Sequence, residues 1–407
     1  MRAASLFMAD VKICFQKIFL VNRIFQPIGL CDIGRSSEGS RMKNENRNGG
    51  LVVSGASEHY HSMDFMRGVA AFSVVLTHVS HRLDIAWFAN RAYLAVDFFF
   101  VLSGFVMCSA YKASLQSGTM PYRKYYVTRL IRVFPLIFLG TIIAALIEVA
   151  RPGVANRSAH IVDISVAFLF GAAALPVKLN GDLEQTAFPL NLPVWSLFFE
   201  IIANLLFPIW VNAKHKKTIL CACVLIGSAV MTAGTYRYGD ANRGYYPVDL
   251  WFGLARVMYS FPIGIFLYEI RDRSRPVNFF VPSFLLLMVV STYYKGPGSF
   301  LVDVAAILVV MPMIVFISIK ASYNAFERWA SDWSGNLSFP IYALHYPFTR
   351  LISIMNKHVS LSLTEKFVIE GVFLLLMSAL SYCAYRLYDA PLRRKLTQIY
   401  RKYSGRV

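Results

Sequence analysis

The sequence predicts an all-α fold: a polytopic integral membrane bundle of about ten transmembrane helices plus one re-entrant or interfacial segment. Three observations carry this expectation. Of the 407 residues, 56% are hydrophobic, 15% aromatic and only 16% charged. Apolar runs near 20 residues long recur along most of the chain, the length a helix needs to cross a bilayer. The basic residues behind the net charge of +18 sit in short clusters between those runs. That is the layout of cytoplasmic loops under the positive-inside rule, not of a nucleic-acid-binding patch.

Residues 1–62 read as an N-terminal extension. Val11 to Cys31 is apolar but broken by Lys12, Lys17, Asn22, Arg23 and Pro27, as in a basic amphipathic helix lying on a membrane. It lacks the layout of a cleaved signal peptide. Arg35 to Ser62 is rich in Gly, Ser, Asn and charge and is expected to be disordered. Translation starting later, at Met42, is an alternative.

Residues 63–390 read as the transmembrane domain. The expected spans are 63–82, 92–111, 133–151, 193–212, 218–236, 250–270, 277–294, 300–320, 338–356 and 365–386. The short run 161–176 is taken as the segment that does not cross, because all basic loops then fall on one side. The run 193–212, which starts at Pro193 and holds Glu200, is the other candidate for that role. Residues 391–407 form a basic tail, and both termini are expected inside the cell.

The six cysteines (Cys14, Cys31, Cys108, Cys221, Cys223, Cys383) show no paired metal-ligand spacing and no disulfide framework. Phosphate loops, zinc-protease motifs and nucleophile elbows are absent from the sequence, so no metal is expected and chemistry must come from ionisable groups inside the spans. Such groups cost about 2.5–3.5 kcal/mol each on insertion scales and need a reason to stay. In Met63-Asp-Phe-Met-Arg-Gly-Val-Ala-Ala71 and the residues following, Arg67 and His78 are eleven positions apart. On a helix that is three turns, one face and roughly 16 Å. Asp64 can pair with Arg67 at i,i+3. Arg129 and Arg132 share a helix face at the inner mouth of the third span. With Arg67 they could clamp phosphates through planar donor forks, or simply flank the membrane as snorkelling cations.

Asp97 enters the second span at the depth of His78. A carboxylate there would orient the imidazole as a general base, or form a structural pair in the core. Glu200 is expected to face the same cavity. Ser103 and Gly104 read as a close-packing pair more than as a nucleophile. His345 precedes Pro347, which frees backbone carbonyls that the histidine could bond. Asp389 with Arg393 and Arg394 reads as a topology anchor.

Taken together, these motifs resemble the acyltransferase-3 family of multi-span membrane O-acyltransferases. The resemblance runs from Met63–Ala71 and His78 through Val96-Asp-Phe-Phe-Phe-Val-Leu-Ser-Gly104, the Arg129/Arg132 pair with Pro135, and Trp195-Ser-Leu-Phe-Phe-Glu200. It continues in Leu337-Ser-Phe-Pro-Ile-Tyr-Ala-Leu-His345 and Asp389-Ala-Pro391, and so covers about residues 60–395. It implies a bacterial inner-membrane enzyme that moves an acyl group, most often acetyl, from cytoplasmic acyl-CoA to a hydroxyl of a carbohydrate such as exopolysaccharide, O-antigen or lipid-linked oligosaccharide. Under it, Arg67, Arg129 and Arg132 would hold the donor phosphates. His78, with Asp97 or Glu200, would be the catalytic base, or would carry the acyl group briefly itself. The partners are then acyl-CoA, a carbohydrate acceptor and the lipid bilayer, without nucleic acid. The oligomeric state stays open, a homo-oligomer included. The alternatives are a transporter or flippase, in which His78, Asp97, Glu200 and His345 bind a proton or cation, and a scaffold of polysaccharide export.

Overall fold

The structure is a computed structural model, and it describes residues 59–404 except 86–89, 153, 155 and 295. The expected surface helix at Val11 to Cys31 and most of the expected disordered stretch lie outside the described residues.

Eleven helices follow one another within the described residues: α1 His61–Arg82, α2 Ala92–Gln116, α3 Tyr122–Val149, α4 Arg157–Ala172, α5 Val194–Asn212, α6 Lys216–Tyr238, α7 Leu250–Glu269, α8 Val281–Val290, α9 Ser299–Ser318, α10 Ala325–His358 and α11 Leu363–Ser404. Two dipeptide strands, β1 Val277–Asn278 and β2 Ala321–Ser322, pair in parallel. Among the described residues, seven helices are long and apolar enough to cross a membrane: α2, α3, α5, α6, α7, α9 and α11. The fold is that of a helical membrane protein.

Three expected spans differ from this set. The run 277–294 contributes only the ten residues of α8, because β1 occupies its start. The run 63–82 is α1, and 338–356 lies inside the 34-residue α10. Both helices have the length but not the apolarity of a lone span. Their polar side chains are turned against each other. Ser331 and Ser334 of α10 donate hydrogen bonds to the carbonyls of His61 and Phe65 in α1, at 2.7 and 3.0 Å. A Cβ on Gly68 would collide with Ser334 Oγ at 1.7 Å, so the absence of a side chain permits this contact. The polar start of α10 is helical because Asn324 and Glu327 form a reciprocal capping box.

The helix α3 begins at Tyr122, eleven residues before the expected span, so Arg129 and Arg132 are already helical. The run expected not to cross forms α4, 16 residues capped by Asn156. Helices α2 and α7 cross at backbone contact. A Cβ on Gly104 would lie 2.1 Å from the Phe261 carbonyl oxygen, and one on Gly264 would lie 2.0 Å from that of Val101. Gly104 is thus a packing residue, as the sequence suggested.

Prolines inside helices free carbonyls four residues back, and side chains take them up. Pro208 frees Asn204, whose oxygen accepts from the Tyr125 hydroxyl at 2.8 Å. Pro347 frees Ala343, whose oxygen accepts from Asn191 Nδ2 at 2.9 Å.

Candidate functional site

The site is organised by α1, whose two ends carry different chemistry. Toward its start, Arg67 donates to Asp64 at 2.8 Å, one turn away, and Asp64 also lies 3.2 Å from His59 Nε2. Arg132 sits close enough to Arg67, Arg129 and Arg393 to feel all three charges, with Asp389 opposing them. Arg132 therefore lies within electrostatic range of the other two arginines singled out in the sequence. The terminal helix adds Arg393, held by Asp389 at 2.7 Å. No carboxylate lies within ion-pair distance of Arg132 among the described residues. Its guanidinium lies over the Phe339 ring at 6.0 Å instead. The buried Nε atoms of Arg129 and Arg393 have no hydrogen-bond partner. Guanidiniums gathered this way, with donors unspent, suit a polyanionic ligand.

Three turns along the same helix, His78 Nδ1 lies 2.8 Å from Nε2 of His345, with the rings stacked at 5.1 Å. His345 Nδ1 in turn lies 2.9 Å from the carbonyl oxygen of Ile341. A carbonyl only accepts, so His345 Nδ1 carries the proton and, in the neutral ring, Nε2 is an acceptor. His78 then donates through Nδ1, and its own Nε2 keeps the free lone pair. The sequence had no means of pairing these histidines, which are 267 positions apart. His345 bonds an ordinary helical carbonyl rather than the one freed by Pro347, which Asn191 occupies.

Asp97 does not sit beside His78. It is fully buried against Arg256 of α7, with Nε–Oδ1 at 3.1 Å and Nη2–Oδ2 at 2.6 Å. The remaining donors of Arg256 reach the carbonyls of Tyr93, Ala241 and Arg243 at 3.0–3.1 Å. This closed, fully satisfied pair ties α2 to α7 and leaves Asp97 no hydrogen bond for the imidazole. Sequence reasoning missed Arg256, although a lone arginine six residues into an apolar run signals a buried acidic partner.

Glu200 also lies away from His78. It accepts from Ser103 Oγ at 3.2 Å and stands 3.7 Å from Arg129. It therefore belongs to the arginine side. Between the two ends, Tyr342 bridges: its hydroxyl is 2.6 Å from Ser196 Oγ, and its ring is 6.2 Å from that of His345. Polar side chains thus lie between the two ends: Glu200 beside Arg129, Ser196 one turn earlier on α5 and bonded to Tyr342, and Tyr342 one turn before His345 on α10.

Beyond His78, Arg82 bonds Glu184 and Tyr346, and Tyr346 sets its ring edge on His78 at 5.2 Å. Arg350 pairs with Glu148, which also holds Arg151 at 3.2 Å. The one group of His, Asp, Glu or Cys able to hold a metal among the described residues is His59, His61 and Asp332, with ligand atoms within 4.8 Å of one another. It lies at the start of α1, on the order of 25 Å along the axis from His78.

A sequence profile of the acyltransferase-3 family, described as an acyltransferase domain, matches residues 60–386. Protein 2 in the picA locus of Rhizobium radiobacter is 32% identical over 187 residues, 43% of this chain and 93% of that protein. The peptidoglycan O-acetyltransferase OatA of Listeria monocytogenes serovar 1/2a is 25% identical over 322 residues, 71% of this chain and 49% of OatA. YrhL of Bacillus subtilis strain 168, provisionally named a peptidoglycan O-acetyltransferase, is 23% identical over 378 residues, 86% of this chain and 57% of YrhL. The chain thus spans about half the length of these two relatives. No solved structure matches it. With a helical membrane bundle and a family match over most of its length, this chain belongs to the acyltransferase-3 family.

Proposed function

We propose that the protein is a membrane-bound O-acyltransferase that moves an acyl group, acetyl in the simplest case, from acyl-CoA to a hydroxyl of a cell-surface or exported carbohydrate. The observation that carries this reading is the hydrogen-bond chain from Ile341 through His345 to His78, which leaves His78 Nε2 as the free base. The donor phosphates rest on Arg67, Arg129, Arg132 and Arg393, and the pantetheine arm follows the polar side chains between the two ends toward His78. The acceptor approaches from the Arg82 end. His78 Nε2 takes the hydroxyl proton as the oxygen attacks the thioester carbonyl. The sulfur then leaves with that proton as the free thiol of CoA, and the ester stays on the sugar. His345 is a positioning residue: it fixes the tautomer and accepts from His78 Nδ1–H as the ring charges. The O-acetyltransferase names of two relatives support the acyl class. In this reading the site lies within a multi-pass bundle in the bacterial inner membrane, with both termini cytoplasmic.

The test is purified full-length protein in liposomes, given labelled acetyl-CoA and the polysaccharide of a deletion strain. His78→Ala should lower transfer by about 100- to 10,000-fold, the worth of general base catalysis. His345→Phe should cost about 10- to 100-fold in kcat, with partial recovery in His345→Gln, which restores an acceptor. Flux of a solute without acyl chemistry would favour the transporter reading instead.

A further inference from the structure

The Arg82 end of α1 carries a second binding site, and we propose that Glu184, Arg82 and Tyr346 form an acceptor subsite for a neutral, hydroxyl-rich sugar residue. The proposal rests on the acyl-transfer reading above and adds the residues that recognise the acceptor. Arg82 follows His78 by four positions, so both project from one face of α1. Its Nη2 donates to Glu184 Oε1 and, at 3.1 Å, engages the Tyr346 hydroxyl. The same hydroxyl donates to Glu184 Oε2 at 2.6 Å. Tyr346 is 5% exposed and covers His78 with its ring edge, whereas the side chains of Arg82 and Glu184 are 26% and 28% exposed. Both charged side chains therefore keep some solvent exposure, while the Tyr346 ring packs against the imidazole.

Glu184 belongs to the segment between α4 and α5, which is fixed to α10 beside the histidines. Asn191 bonds the Ala343 carbonyl, and Arg350 donates to the Pro189 carbonyl. The subsite is thus registered to the catalytic imidazole and does not drift with a free loop.

The donor set selects the ligand class. A sugar hydroxyl both donates and accepts, and a carboxylate next to a guanidinium offers one partner for each role. Arg82 and Glu184 neutralise each other within the shelf. Behind it, Arg350 and Arg151 share the single carboxylate of Glu148, and Arg350 Nη2 also stands 3.9 Å from Glu184 Oε2. An acceptor lacking hydroxyls would leave these polar heads desolvated and unpaired, a strong basis for rejection.

The experiment uses full-length protein in liposomes, labelled acetyl-CoA and polysaccharide purified from a deletion strain, with acceptor KM, kcat and acetyl-CoA hydrolysis measured together. Glu184→Gln should raise the acceptor KM by about tenfold, and Tyr346→Phe by about fivefold, each exceeding its effect on kcat. The ratio of transfer to hydrolysis should fall with it. Polysaccharide whose carboxyl groups have been reduced should keep the KM of the native polymer. Equal loss of transfer and hydrolysis in both variants, an unmoved acceptor KM, or a tenfold rise on carboxyl reduction would overturn the subsite. Failure of the wild-type protein to acetylate any polysaccharide would instead overturn the function on which it rests.

Discussion

The two ends of α1 hold comparable numbers of arginines and differ in one of them. At the Arg67 end, Arg67, Arg393 and Arg129 stand 2.8, 2.7 and 3.7 Å from carboxylates, but Arg132, within electrostatic range of all three, has no carboxylate within ion-pair distance among the described residues. At the Arg82 end, Arg82, Arg151 and Arg350 each contact a carboxylate of Glu184 or Glu148. The difference lies in Arg132: an unpaired guanidinium suits an anion, the role proposed for this end, whereas a guanidinium paired with a carboxylate presents a donor and an acceptor side by side, as the acceptor end is proposed to do.

The largest perturbation removes the buried ion pair that ties α2 to α7. Arg256→Met leaves Asp97 as a buried, unpaired charge, which should cost about 3–5 kcal/mol. Thermal unfolding in detergent should show it, and far less folded protein should reach the membrane. Should the variant fold normally while turnover collapses, Asp97 would have a catalytic role that its geometry does not suggest.

Next comes the contrast itself. Arg132→Met should raise the KM for acetyl-CoA by about 10- to 100-fold, the worth of a charge-assisted contact of ~1.5–3 kcal/mol. The acceptor KM should move much less. Similar shifts in both constants would erase the distinction between the ends. Asn191→Ala is expected to be milder. It strips the Ala343 carbonyl of its partner, costs about 1 kcal/mol, and should lower the melting temperature by a few degrees. An unchanged melting curve would argue against that amide as an anchor. The smallest effect is ionic. Raising salt from about 0.05 to 0.5 M should weaken acetyl-CoA binding a few-fold through screening, with little effect on the neutral acceptor. A salt response confined to the acceptor would invert the comparison.

Much of the fold was legible because span length and helical period are local properties. Arg67 and His78 share a face of α1, and the bounds of α5, α6, α7 and α9 lie within two residues of those expected. The errors have local causes too. The charged start of α10 looked like a loop, although Asn324 and Glu327 announce a helix and Ser331 and Ser334 bury its polar face on α1. The run 277–294 had the composition of a span but yields only α8.

Pairing across helices was not legible. Depth placed Asp97 near His78, but depth leaves rotation about the axis unspecified, and Arg256 lies 159 positions further on. Two unmatched intramembrane charges, Asp97 and Arg256, were a usable clue. His345 was singled out but assigned a carbonyl, when its second nitrogen serves His78. Arg393 looked like a topology anchor because nothing in one dimension brings the last helix beside the third.

The bond from Asn191 to the Ala343 carbonyl has an engineering consequence. Pro347 vacates that oxygen within one turn of His345, so the amide of Asn191, together with the Arg350–Pro189 bond, pins the segment between α4 and α5 to α10. Residues between α4 and this pin could be exchanged between homologues while the histidine pair keeps its alignment.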